Sequence, residues 1–112
     1  MDLEFVSEWF RFAQSDLSSA EHLLSKQPQP LEIICYLCEQ SAEKHLKGYL
    51  IYKGIEELPK THNLILLCKM CLDCDKSFVS IKKACETLNR YGVQPRYPGG
   101  MEILHNDMEK AL

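Results

Sequence analysis

Between Leu31 and Lys53 the chain reads LEIICYLCEQSAEKHLKGYLIYK, and this stretch restricts the fold more than any other. Plotted at about 100° per residue, Leu31, Ile34, Leu37, Cys38, Ala42, Leu46, Tyr49 and Tyr52 fall on one very broad apolar arc, with Gly48 on the same side. Glu32, Glu39, Gln40, Glu43 and Lys47 make up a narrow polar wedge. An arc that wide is buried only by a helix with neighbours on several sides, which places this one at the centre of a helical bundle. Within the wedge, Tyr36, Gln40, Glu43 and Lys47 follow at steps of four, three and four. They form a single line of hydrogen-bonding and charged groups, where a functional site is expected.

The flanking segments read as the neighbours. Residues 4–26 predict a first helix with Phe5, Val6, Trp9, Phe10, Phe12, Ala13, Leu17, Ala20, Leu23 and Leu24 on one half of the wheel. Asp16 intrudes into that apolar half, where a carboxylate is costly without a partner. A structural bond to a lysine, tyrosine or backbone N–H is the favoured reading over a catalytic one. The Gln27-Pro28-Gln29-Pro30 break is short, so the second helix is expected to fold back antiparallel on the first. Gly54 is a candidate left-handed cap, and Ile55 to Lys60 a connector.

Thr61 is the expected N-cap of a third helix running to about Cys74, with His62 in its first turn. Asp75 or Ser77 opens a fourth, in which Phe78, Ile81, Cys85 and Leu88 recur at core spacing until Gly92 stops it. A turn-rich loop, residues 92–100, carries Arg96-Tyr97-Pro98 and precedes a short last helix, Met101 to Leu112. The expected fold is all-α: an antiparallel up-down bundle of four long helices plus a short C-terminal helix, one domain over residues 1–112.

Charge and cysteine content narrow the function. A net charge of -3 argues against generic binding to nucleic acid or an anionic membrane through bulk charge, so RNA is not supported as a partner. No run approaches the roughly 18 apolar residues of a membrane span. The opening MDLEFVSEWF lacks the pattern of a signal peptide, so a cytoplasmic protein is expected. Six cysteines stand at 35, 38, 68, 71, 74 and 85. A zinc site would join Cys35 and Cys38 to two of Cys68, Cys71 and Cys74. Both groups lie inside helical runs on apolar faces, however, so packing as small hydrophobes is the stronger reading and no metal or cofactor is expected.

The residues able to act are few. Lys47 and Arg96 carry charge suited to a phosphate, Tyr91 or Tyr97 can stack on a base, and Glu43 can orient Lys47 as an i, i+4 pair. Prolines at 95 and 98 stiffen the Arg96 loop, which either presents the guanidinium to a phosphate or carboxylate or clasps Asp16 or Glu43. His62 is read first as a packing or capping residue.

Trp9 with Ala13, Asp16-Leu17 and Ala20, then Cys38 to Gly48 (CEQSAEKHLKG), Pro59-Lys-Thr-His-Asn-Leu64, Leu88-Asn-Arg-Tyr91 and Arg96-Tyr97-Pro98 stand in an order that resembles the HEPN family (higher eukaryotes and prokaryotes nucleotide-binding domains). The resemblance spans nearly the whole chain and is to the branch with the AEK motif and the RYP loop. It implies a helical bundle, usually a homodimer, that binds a nucleotide or phosphate group or partners a small nucleotidyltransferase in a two-component, toxin–antitoxin-like system. The ligand site it implies comprises Gln40, Glu43, Lys44, Lys47, His62, Tyr91, Arg96 and Tyr97. Many relatives are metal-independent ribonucleases marked by an arginine and a histidine separated by four to six residues. Here Arg96 and His105 stand too far apart, with Pro98, Gly99 and Gly100 between them. Catalysis is therefore not carried over, and a ribonuclease toxin is the alternative to a binding module.

Overall fold

Small residues on α1 (Leu3–Leu23) and α2 (Leu31–Tyr52) set the central seam of the molecule. Ala13 and Ala20 are wholly buried, and the Ser41 hydroxyl donates to the Ala13 carbonyl at 2.8 Å. Gly48 lets the helices approach: a Cβ there would stand 2.9 Å from Phe10 Cε1 and 3.0 Å from Trp9 Cβ. Ala20, further along α1, packs with Ile34, Cys35 and Cys38 near the start of α2. Late residues of one helix thus meet early residues of the other, which makes the pair antiparallel, as the short proline connection requires.

The computed structural model describes residues 3–55 and 57–91. Beyond α2 come α3 (Leu64–Cys74), a 3₁₀ segment (Lys76–Ile81), α4 (Lys82–Leu88) and a 3₁₀ turn (Asn89–Tyr91), with no strand among the described residues. Leu46 and Leu50 of α2 form a second core with Leu64, Leu67, Cys68 and Cys71 of α3 and Cys85 of α4. α2 therefore carries one buried face toward α1 and another toward α3 and α4, in keeping with its broad apolar arc. It ends in a Schellman motif: Gly54 has φ 91°, its N–H donates to Ile51, and Ile55 donates to Leu50. None of the helices among the described residues is long and apolar enough to cross a membrane.

Several expectations need correction. α1 stops at Leu23, and its aromatic residues do not fill the core: Phe5 and Phe12 are about half exposed, while Val6 and the alanines are buried. At the seam the Phe10 ring lies against Gly48, where even a methyl group would crowd it, and the positions that face α2 most closely are taken by alanine. Tyr52, at the end of α2, is exposed rather than part of the buried arc. Asn63, not Thr61, caps α3, its side chain accepting from the N–H groups of Ile65 and Leu66. Thr61 instead accepts from Asn63, so His62 precedes the helix rather than lying in its first turn.

The expected fourth long helix is broken. Asp75 caps a 3₁₀ stretch through Ser77, and only Lys82–Leu88 is α-helical. Val79 and Ile81 are β-branched and exposed, so neither propensity nor burial holds an α-turn there. Five cysteines are buried, bearing out their reading as small core side chains, but Cys74 is exposed. The loop at 92–100, with Arg96, Tyr97 and Pro98, and the final helix expected at 101–112 lie outside the described residues.

Candidate functional site

The polar wedge of α2 is occupied by paired charges rather than by free ones. Glu43 is buried, and its carboxylate is held from two sides: Lys47 Nζ lies 3.1 Å from Oε2, and His62 Nδ1 lies 2.8 Å from Oε1. A carboxylate can only accept, so the proton of the His62 ring sits on Nδ1. The Lys47 side chain is 12% exposed, whereas the His62 side chain is 68% exposed. His62 is therefore the part of this group that is open to solvent.

One turn before Glu43, Glu39 is wholly buried. Its Oε2 accepts from Gln40 Nε2 at 2.8 Å, and its Oε1 has no hydrogen-bond partner. Loss of hydration pushes the Glu39 carboxyl up from an ordinary 4.5 to about 7. The Gln40 bond opposes this, the neighbouring Glu43 adds to it, and His62 and Lys47 again oppose it. Near neutral pH this group therefore exchanges a proton inside a desolvated cluster.

The backbone brings a further segment to the same place. The Leu64 N–H at the start of α3 donates to the Asn89 side chain at 2.8 Å. That bond fastens the Asn89–Tyr91 turn beside the loop that carries His62. The side chain of Tyr91 lies outside the described residues, as do Arg96 and Tyr97.

Of the residues singled out in the sequence, Gln40, Glu43, Lys47 and His62 come together. Lys44 does not join them: its ammonium pairs with Asp16 of α1 at 2.5 Å. This gives Asp16 the structural lysine partner foreseen as its favoured role. It corrects the picture of a buried acid, because the side chains of Asp16 and Lys44 remain 19% and 27% exposed. The expectation of an open polar strip is also corrected. Glu39 and Glu43 are closed off within the fold, and both lysines of the motif are committed to carboxylates. Glu39 was assigned no role from the sequence, although its spacing of four from Glu43 signals like charges on one helix face. Among the described residues, no three histidine, cysteine or acidic side chains are grouped so as to hold a metal ion.

Comparison with protein families gives one result: the model described as HEPN domain matches residues 6–112. Comparison with the curated proteins and with the solved structures gives no significant match. The family match covers all but the first five residues and takes in both the seam of α1 with α2 and the Glu43 cluster. On that ground this helical chain belongs to the HEPN domain family.

Proposed function

We propose that the chain is a non-catalytic HEPN binding module that takes a nucleotide or phosphate group and partners a minimal nucleotidyltransferase. In this reading it works in the cytoplasm as a homodimeric antiparallel up-down bundle, one half of a two-component system of toxin–antitoxin type. The observation that carries the reading is the Glu43 cluster. An exposed imidazole is held at 2.8 Å by a buried carboxylate, beside the polar wedge of α2. A ring positioned in this way loses little freedom on meeting a ligand. Because Lys44 and Lys47 are already paired, the cation for a phosphate comes from the Arg96 loop in this reading, and Tyr91 or Tyr97 supplies the stacking surface.

Binding of adenosine and guanosine nucleotides, followed by calorimetry, tests the proposal. Saturable binding is expected, and it should weaken at least tenfold in both His62→Ala and Arg96→Ala while thermal stability falls by no more than a few degrees. Absence of saturation up to about 1 mM, with or without a co-expressed nucleotidyltransferase, refutes it. The ribonuclease alternative predicts cleavage of structured RNA in EDTA that both substitutions abolish, and the proposal predicts intact RNA. A small nucleotidyltransferase gene beside this one, and a dimer mass by light scattering, are the expected companions.

A further inference from the structure

Among the described elements α1 packs extensively on α2 alone, although apolar side chains take up half of its helical wheel. Ala13 and Ala20 are buried against α2, while Phe5 and Phe12, roughly a quarter-turn round the helix from them, stay about half exposed. Trp9 stands between the two on the same face, its ring edge-on to Phe5 with the centroids 6.2 Å apart. With Glu8 and Lys44 these three rings line an open groove of about 270 Å³. The Arg11 guanidinium lies 4.6 Å from the centre of the Phe12 ring and pairs with Glu8 at 3.0 Å. The rim of the groove therefore carries both signs of charge, Glu8 with Arg11 and Asp16 with Lys44.

We propose that this face is where a second copy of the chain docks, α1 lying antiparallel on α1 about a two-fold axis beside Glu8 and Trp9. The homodimer of the proposed function, on which this assignment rests, acquires its contact surface here. A two-fold interface uses one patch twice, so that patch has to supply both the projection and the recess that receives it. Phe5 and Phe12 are the projections, one on either side of the axis, and the groove they share with Trp9 is the recess. The antiparallel two-fold sets Phe5 of each copy beside Phe12 of the partner subunit. The mixed rim is self-complementary in the same sense: Arg11 can turn from its own Glu8 to Glu8 of the partner subunit, whereas a rim of one sign would repel its copy.

The size of the patch sets the strength expected. A half-exposed phenylalanine offers about 100 Å², and with Trp9 the two copies together cover roughly 500 Å² of apolar surface. At the usual apolar share this corresponds to an interface of about 900 Å², at the weak and reversible end of specific contacts. Dimer and monomer should therefore exchange at micromolar concentration.

The test is sedimentation velocity on the full chain from about 1 to 200 µM, with tryptophan emission read over the same dilution. Reducing buffer excludes a link through the exposed Cys74. Trp9 is the sole tryptophan, so its emission reports this face without any substitution. Dimer is expected at the upper concentration, with emission moving to the red as it dissociates. Phe5→Glu and Phe12→Lys should each weaken the dimer at least tenfold and move the melting temperature by no more than a few degrees, because both rings are already half exposed. Mixing the two variants should restore a dimer, since the two-fold brings position 5 of one against position 12 of the other, acid against base. A dimer that survives both substitutions, or that dissociates without moving the Trp9 emission, overturns the α1 face and leaves the homodimer standing. Failure to pair on mixing overturns the antiparallel two-fold. A chain that stays monomeric throughout refutes the homodimer as well and leaves the groove to a partner of different sequence.

Discussion

Glu39→Gln should stabilise the protein at alkaline pH and do little in mild acid. Glu39 is wholly buried with one unpartnered carboxyl oxygen, and burial raises its pKa from 4.5 to about 7. A group raised in the folded state binds more protons there than in the unfolded chain between those two values. Its protonated form leaves stability intact below about pH 4.5, and stability is lost as pH rises through 7. At about 1.4 kcal/mol per tenfold change in the equilibrium constant, the full loss is about 3 kcal/mol. Glutamine keeps the shape and an acceptor for Gln40 Nε2 but carries no charge. Urea unfolding of both proteins at pH 5 and pH 8 measures the effect, because titrating groups not coupled to Glu39 cancel in the difference. The advantage of Glu39→Gln should grow by about 2–3 kcal/mol between those pH values. A difference that stays flat with pH would show that Glu39 is solvated or firmly paired, and the desolvated cluster would not exist.

Two further outcomes follow from the α1–α2 seam. Gly48→Ala should destabilise by about 1 kcal/mol, because overpacking costing about 1–3 kcal/mol exceeds the roughly 1 kcal/mol gained in helix propensity. Phe10→Ala should relieve part of that cost, and a Gly48→Ala protein more stable than its parent by thermal melting would refute the close approach. For Asp16 and Lys44, a double-mutant cycle with Asp16→Asn and Lys44→Met should give a coupling of about 1 kcal/mol, between surface and buried values. Zero coupling in urea titrations would mean that the pair contributes nothing to the seam.

Much of this architecture is visible in one dimension because it depends on local periodicity. α2 is recognisable from the 3.6-residue recurrence of its apolar side chains and from the glycine that ends it. The proline break implies the antiparallel return, and helical spacing alone lines up Gln40, Glu43 and Lys47, whereas His62 joins them in the sequence only through the family resemblance. Core spacing at Phe78, Ile81, Cys85 and Leu88 predicts a longer fourth helix than forms, because spacing does not reveal that Val79 and Ile81 are exposed within a 3₁₀ stretch over Lys76–Ile81. The cap moved from Thr61 to Asn63 because both side chains can accept a backbone N–H, and only the register of α3 on α2 selects one.

Electrostatic roles were decided in three dimensions. A helical wheel shows Lys44 and Lys47 as available cations, but the approach of α1 brings Asp16 to Lys44, and the α3 entry loop brings His62 to Glu43. Nothing in the spacing of Glu39 states that it is sealed from water, and that burial is what moves its proton affinity toward neutrality. Side-chain periodicity is a property of the chain alone and carries the helices, whereas hydration and charge pairing depend on which distant segments arrive. For that reason the amino-acid order determined the helical class and the residues of the motif. Only the packing of α1 and the His62 loop against α2 determined which of them are paired and buried and which remain exposed to solvent.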